Sequence, residues 1–316
     1  MKAAVLQKPG TFIVEEMEVP SIKSNELLIK VKACGICTSE LDMWEGKAIG
    51  LEFPRFIGHE VAGIVEKIGD DVTDFQTGDH VAIFAEEKGY SEYVAITEKL
   101  AVKIDKNIEF EHALGEPIAC SINGVRKTNI DINESVCIVG CGFMGLIMLQ
   151  VFKYSGAGTL IAVDTRDSIL KLAKNLGATY VYNPFNDNVV EKVQELTNGK
   201  GIDIGIEAAG NQQAIDLTTE LVRMEGKLQI FGFHQGEPRK INWGYWNWMA
   251  FQIINGHTRN PAIYVDGMRI GLNLLNEKKL DMAPLVTNTY TLDEINNGFK
   301  EAAAKSDSFI KGVITF

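Results

Sequence analysis

No stretch of this 316-residue sequence approaches the roughly 20 consecutive apolar residues that span a bilayer. The opening residues, Met1 to Pro9, lack the apolar core and the small-residue cleavage site of an export signal. Cysteine is scarce and odd in number, five residues at 34, 37, 120, 137 and 141. That is a poor disulfide framework for a chain this long and fits a reducing compartment. Basic charge is also short: 31 Lys and Arg stand against 42 Asp and Glu, a formal net charge of −11. Nucleic acid and anionic membranes both need a basic face, so neither is expected as a partner. Repeats and low-complexity segments are absent as well. These absences predict a soluble, cytoplasmic protein.

What is present suits two packed cores. Hydrophobic residues make up 46% and charged residues 23%, ordinary values for a globular chain long enough for about two domains. The first 110 residues read as short strands separated by turns. Leu27–Ala33 and Glu60–Ile68 are rich in β-branched residues, and Gly69-Asp70-Asp71 and Thr77-Gly78-Asp79 are turn signals. This region is mostly β and antiparallel. Beyond residue 123 the pattern alternates. Strands at Val136–Val139, Leu160–Val163, Ile202–Ile206 and Lys227–Phe231 are interleaved with helices at Leu146–Tyr154, Asp167–Leu176 and Gln212–Arg223. Such alternation implies right-handed crossovers and a parallel, doubly wound sheet. From residue 263 a helix over Val265–Asn276, a strand near Leu285-Val286-Thr287, a further helix and a strand at Lys311–Phe316 return to the first domain. The division is therefore 1–122 and 263–316 around an α/β domain at 123–262.

Gly140-Cys141-Gly142-Phe143-Met144-Gly145 is a G-x-G-x-x-G turn between a buried strand and a helix, and Asp164 ends the following strand. Gly140 makes the tight turn, Gly142 lets the backbone approach a pyrophosphate, and Gly145 lets helix and strand pack closely. Asp164 would accept hydrogen bonds from the adenosine ribose and repel a 2′-phosphate, which favours NAD over NADP. Arg166, two residues on, works the other way, because a basic group there can meet a phosphate.

The first domain also carries metal-ligand chemistry. Cys37 lies in Gly35-Ile36-Cys37-Thr38-Ser39-Glu40, His59 and Glu60 in Gly58-His59-Glu60, and Glu116 in Gly115-Glu116-Pro117-Ile118-Ala119-Cys120. Thiolate, imidazole and carboxylate suit tetrahedral zinc with one position open. Cys34 and Cys37 form a lone C-x-x-C, and without a second such pair a zinc knuckle or redox pair is disfavoured.

At these residues the chain resembles the zinc-dependent medium-chain dehydrogenase/reductase family. Gly58-His59-Glu60-Val61-Ala62-Gly63 followed by Gly69 and Val72 matches its zinc signature, and Glu116-Pro117-Ile118 looks like the sorbitol and polyol dehydrogenases. The resemblance implies a GroES-like catalytic domain beside a Rossmann domain. It also implies an NAD-linked oxidation of a secondary alcohol, most simply a polyol or sugar alcohol. Cys37 and His59 would hold the metal, completed by Glu60 directly or in exchange with water, or by Glu116 directly or through water. Cys120 rivals Glu116 on the same helix face. Ser39 sits where the family has the hydroxyl that takes the substrate proton. Relatives often carry a histidine at position 42, where this chain has Asp42, so the onward proton route is open. The four-cysteine lobe that holds a structural zinc in many relatives is missing, so one zinc per chain is expected. A homodimer or homotetramer, paired through an edge strand at Phe251–Ile254, is also implied.

Glu40 is read either as a carboxylate behind His59 or as a solvated acid, and His234 either as a nicotinamide or substrate contact or as a loop residue without a role. The aromatic run Trp243–Phe251 suits packing better than sugar stacking. Trp44, Phe84 and Trp248 are candidate pocket residues. Two other readings compete with the zinc dehydrogenase. A zinc-free quinone or enone reductase on this fold would lack Cys37, His59 and Glu116, and a cofactor-binding protein without turnover draws support from Asp42 alone.

Overall fold

The computed structural model describes every residue except 49, 86 and 235. Two compact units divide the chain: Met1–Cys120, Arg259–Lys278 and Met282–Phe316 in one, Ser121–Thr258 and Lys279–Asp281 in the other.

The first unit is mostly β. Strands β1 (Lys2–Lys8) and β2 (Thr11–Glu16) form a hairpin. The larger sheet contains β3 (Glu26–Gly35), β4 (Glu60–Ile68), β5 (His80–Phe84), β6 (Tyr93–Thr97) and β7 (Ala101–Lys103). Helix α1 (Thr38–Trp44) follows β3, and α2 (Gly115–Lys127) runs out of this unit. Strand β4 is hydrogen-bonded on both edges, to β3 and β5, and is buried over Glu60–Gly63 and at Val65 before it turns polar and exposed at Glu66 and Lys67. Leu27, Ile29, Val61, Val65, Val81 and Ile83 fill the core under it.

The second unit is a parallel sheet of β8 (Ser135–Val139), β9 (Thr159–Val163), β10 (Tyr180–Tyr182), β11 (Ile202–Glu207), β12 (Val222–Ile230) and β13 (Gln252–Asn255), in the order β10-β9-β8-β11-β12-β13. The direction of strand addition reverses between β8 and β11. That switch point opens a crevice at the carboxyl ends of these strands. Helices α3 (Phe143–Tyr154), α4 (Asp167–Leu176), α5 (Val189–Leu196), α6 (Gln212–Leu221) and α7 (Trp243–Trp248) accompany the strands. Helix α3 is apolar on all sides and almost wholly buried. The doubly wound sheet read from the sequence is present.

The chain then returns to the first unit through α8 (Pro261–Asn276), β14 (Asn288–Thr291), α9 (Ile295–Ala304) and β15 (Gly312–Thr315). Strand β15 pairs antiparallel with β3, placing Val313 opposite Gly35. Several boundaries differ from the sequence reading, among them the start of α3 at Phe143 instead of Leu146. Helix α8 starts four residues before Val265, because Asn260 caps it and Pro261 occupies its first turn. Residues 283–285 form a 3-10 turn containing Pro284, and the strand begins at Asn288. Helix α6 ends at Leu221, and Val222-Arg223 already belong to β12.

Candidate metal and nucleotide sites

Cys37 caps the N-terminus of α1 just after β3 ends, and Glu60 opens β4, the strand paired with β3. Gly35 lies directly opposite Glu60 in that register. Between Cys37 and β4 the chain loops out and returns through Gly58, whose φ of +108° no L-residue adopts without strain. A β-carbon on Gly58 would also strike the Gly89–Tyr90 backbone. The result brings Cys37, His59 and Glu60 together, with one ligand atom from each within 4.8 Å of the others. Tetrahedral zinc with bonds of about 2.0–2.3 Å sets neighbouring donors roughly 3.3–3.8 Å apart, so the trio fits that metal after small rotations.

His59 is aimed by its surroundings. Its Nδ1–H donates to Glu40 Oε1 at 2.8 Å, leaving Nε2 for a metal. Glu40 is 1% exposed and also accepts from Gly58 N at 2.7 Å, the Tyr90 hydroxyl at 2.5 Å and Cys37 N at 3.4 Å. It is therefore the buried carboxylate behind His59 and not a solvated acid. Burial alone would raise its pKa, but His59 and the Tyr90 and Gly58 hydrogen bonds outweigh that and lower it. On His59, burial works against the proton, while Glu40 and then Cys37 favour it strongly enough to hold the imidazole well above its usual value. Tyr90 lies in the fully buried core and is pushed far above the ordinary phenol value, mainly by burial and then by Glu40.

Glu60 is almost fully buried and paired with Lys311, which lies one residue before β15. Lys311 Nζ is 2.8 Å from Oε1, 2.6 Å from Oε2 and 2.9 Å from the Ile36 carbonyl. Despite that ionic contact, Oε2 accepts no well-directed hydrogen bond, so a buried carboxylate oxygen keeps lone pairs to offer a cation. Gly35 makes room for the pair: a β-carbon there would collide with Glu60 Oε2 and approach Lys311 Cε to 2.9 Å. Burial disfavours the ammonium, yet Glu60 and then Cys37 raise the Lys311 pKa above the lysine norm. Nothing in the local sequence around either residue signals this partnership, and the same is true of Tyr90.

Glu116 is on the first turn of α2 and is not one of the trio. The Cys120 thiol donates to its Oε1 at 3.1 Å, and Cys120 lies 3.6 Å from the Tyr264 hydroxyl. Burial raises the Glu116 pKa, opposed by His59. Ser39 is half-buried, with its hydroxyl donating to Cys37 Sγ at 3.2 Å. Asp42 is half-buried on α1, where it adds, after Glu45, to the negative surroundings of Lys47. Trp44 packs against Phe299 and Phe84 stacks on Tyr264, with ring centroids 6.1 and 4.6 Å apart, while Trp248 is 73% exposed in the second unit.

In that second unit, Gly140 to Gly145 link β8 to α3. A β-carbon on Gly140 would lie 2.6 Å from Ala209 N, and one on Gly145 would collide with the Gly140 carbonyl. Gly142, the N-cap of α3, has nothing within 4 Å of that position, so open space lies over the helix terminus. This is the cradle a pyrophosphate needs. Phe143 and Met144 form the first turn of α3. Asp164, beyond β9, is 8% exposed and accepts from Cys141 N at 2.9 Å. Arg166 folds back onto it, Nε to Oδ1 at 3.1 Å. His234 contacts the strand end that precedes it in the sheet: Nε2 is 2.7 Å from Oε2 of fully buried Glu207, and Nδ1 accepts from Arg239 Nε at 3.3 Å. Glu207 Oε1 accepts from Ala209 N and Gly210 N.

A GroES-like β unit holding a thiolate, an imidazole and a carboxylate, together with a Rossmann unit holding a glycine cradle and an acid, defines an NAD(P)-dependent dehydrogenase of the zinc-binding class. Residues 23–106 match the family model for the alcohol dehydrogenase GroES-like domain, and residues 144–255 match that for zinc-binding dehydrogenase. The chain belongs to the zinc-dependent medium-chain dehydrogenase/reductase family. It is 28% identical to sorbitol dehydrogenase from Bacillus subtilis, across 99% of this chain and 97% of that protein. With L-threonine 3-dehydrogenase from Pyrococcus horikoshii it shares 29%, across 92% and 91%. A zinc-binding dehydrogenase from Sinorhizobium meliloti, solved with NADP, superposes at a TM-score of 0.89 with 26% identity, covering 100% of this chain and 99% of that one.

Proposed function

We propose that this chain oxidises a secondary alcohol of the polyol or sugar-alcohol class to a ketone, with one zinc ion per chain and NAD as hydride acceptor. The observation that carries this reading is the convergence of Cys37, His59 and Glu60 on one point, with His59 oriented from behind by Glu40. The polyol class is supported by Glu116-Pro117-Ile118 and by the sorbitol dehydrogenase relatives.

Cys37 and His59 would hold the metal, Glu60 would reach it directly or in exchange with water, and Glu116 would reach it directly or through water. Zinc bound there would supply Lewis acidity, easing loss of the alcohol proton. Ser39, beside Cys37, would accept that proton and pass its own onward, while a nicotinamide cofactor held at the Gly140–Gly145 turn would supply the hydride-accepting chemistry. Asp42 on the same helix is a candidate for handing the proton onward. Gly140, Gly142, Phe143, Met144 and Gly145 would cradle the pyrophosphate, Asp164 would take the ribose hydroxyls, and Arg166 stands beside them. The exposed edge of β13, with Ile253 half in solvent, is suited to pairing with a second copy, consistent with a homodimer or homotetramer. The working compartment is the cytoplasm.

Metal analysis paired with an NAD-reduction assay over polyols and secondary alcohols tests the reading. About one zinc per chain and turnover of a polyol are expected, both lost in Cys37→Ser. Zinc-free protein that still reduces a quinone or enone would replace this reading with the zinc-free reductase.

A further inference from the structure

Glu116 and Cys120 stand one turn apart on α2 and share one face of it. The Cys120 thiol donates to Glu116 Oε1 at 3.1 Å, and its sulfur is 3.6 Å from the Tyr264 hydroxyl. A thiol has a single proton, and the shorter contact takes it. The sulfur is then left as an acceptor for the Tyr264 O–H. The three side chains form a row from Tyr264 through Cys120 to Glu116.

Tyr264 is the fixed end of the row. It is buried on α8, and its ring stacks on Phe84 with centroids 4.6 Å apart and planes 19° from parallel. Phe84 lies directly opposite Glu60 in the pairing of β5 with β4, so the row is anchored to a strand that carries the metal trio. Glu116 stands outside the cluster of Cys37, His59 and Glu60 donors, although the charges of His59 and Glu60 both act on it. A carboxylate this close to a bound cation is drawn towards it. As a fourth protein ligand it would close the position that a substrate oxygen needs.

We propose that Cys120, backed by Tyr264, is a positioning residue that latches Glu116: its thiol holds the carboxylate off the metal and keeps the fourth position open. Cys120 is then neither a ligand nor inert packing, and the metal is held less tightly than four protein ligands would hold it. The inference rests on the metal site proposed above and deepens it.

Zinc titration of the purified full chain against a chromophoric chelator, with no substrate or cofactor added, tests it without turnover. Loss of one neutral hydrogen bond shifts an equilibrium by roughly three- to tenfold. Cys120→Ala should therefore bind zinc roughly three- to tenfold more tightly than the native chain, because Glu116 is freed to join the metal. Cys120→Ser keeps a donor in the same place and should return the affinity to within about twofold of native. With Glu116→Gln already present, Cys120→Ala should change the affinity by less than about twofold. A gain that persists beside Glu116→Gln, or an unchanged affinity in Cys120→Ala, would overturn the latch while leaving the metal site intact. So would a loss of affinity in Cys120→Ala, which would make the thiol itself a ligand. A native chain that binds no zinc, or binds it no better than Cys37→Ser, would overturn the metal reading and the latch together.

Discussion

Lys311 Nζ sits 2.6 Å from one carboxylate oxygen of Glu60 and 2.8 Å from the other, although 251 residues separate them in the chain. Both side chains are nearly excluded from water, 6% and 2% exposed. Removing one member of a buried pair strands the other charge, which typically costs about 3–5 kcal/mol. Lys311→Met should destabilise the metal-free protein by about that amount in guanidinium unfolding. Zinc should restore part of the loss, because a cation at the trio again neutralises Glu60. The double change Lys311→Met with Glu60→Gln should be milder than Lys311→Met alone. Equal losses in single and double variants would show that packing of the lysine stem, not charge, sets its contribution.

Glu40→Gln keeps the size of the group behind His59 but removes its charge. Loss of such a supporting carboxylate typically lowers metal affinity about 10- to 100-fold. Competition with a chromophoric chelator should show a drop of that size. Tyr90→Phe removes one of the hydrogen bonds on Glu40 and should cost about 1–3 kcal/mol of stability, with a smaller effect on affinity.

The shifts of His59 and Glu40 predict a pH optimum for the metal-free protein. His59 is raised above its ordinary 6.5, so its contribution is complete below that value and fades as pH climbs through the higher folded one. Glu40 is lowered below its ordinary 4.5, so its contribution is complete above that value and fades as pH falls through the lower folded one. Melting temperature after chelation should therefore peak between these ordinary values and decline on the alkaline side as His59 deprotonates. Zinc must displace the same proton. Its apparent affinity should rise with pH up to the raised His59 value, and calorimetry in buffers of different ionisation enthalpy should detect proton release.

The glycine turn separates folding from ligand binding. Gly142 has an ordinary φ of −67° and open space beside it, so Gly142→Ala should fold normally, within about 1 kcal/mol. Its methyl group would nevertheless occupy the cradle and weaken NADH binding. Gly145→Ala instead forces a collision with the Gly140 carbonyl. It should lower stability by about 1–3 kcal/mol as well as affinity. A Gly142→Ala protein that binds NADH as tightly as the native chain would place the pyrophosphate elsewhere.

Much of this architecture is written locally. Strand β4 spans Glu60–Ile68 and α4 spans Asp167–Leu176, as periodicity and composition predict. The zinc signature sets His59 beside Glu60, and the glycine spacing marks the cofactor turn, because each depends on residues a few positions apart. Charge, cysteine count and the lack of long apolar runs narrow the partners by composition alone.

What the sequence by itself could not decide are the contacts between distant segments. Pairing of β15 with β3 carries Lys311 to Glu60, and the hydrogen bond from Tyr90 to Glu40 spans 50 residues. Glu40 and His234 looked ambiguous because an acid or a histidine carries no local mark of its own burial. Folding surrounds Glu40 with four donors and sets His234 against Glu207. Even Arg166, two residues from Asp164, required the tertiary structure, since only the side-chain path shows that the base folds back onto the acid. Spacing along the chain specifies elements and motifs; which buried charges neutralise one another depends on how strands far apart in sequence are brought into register.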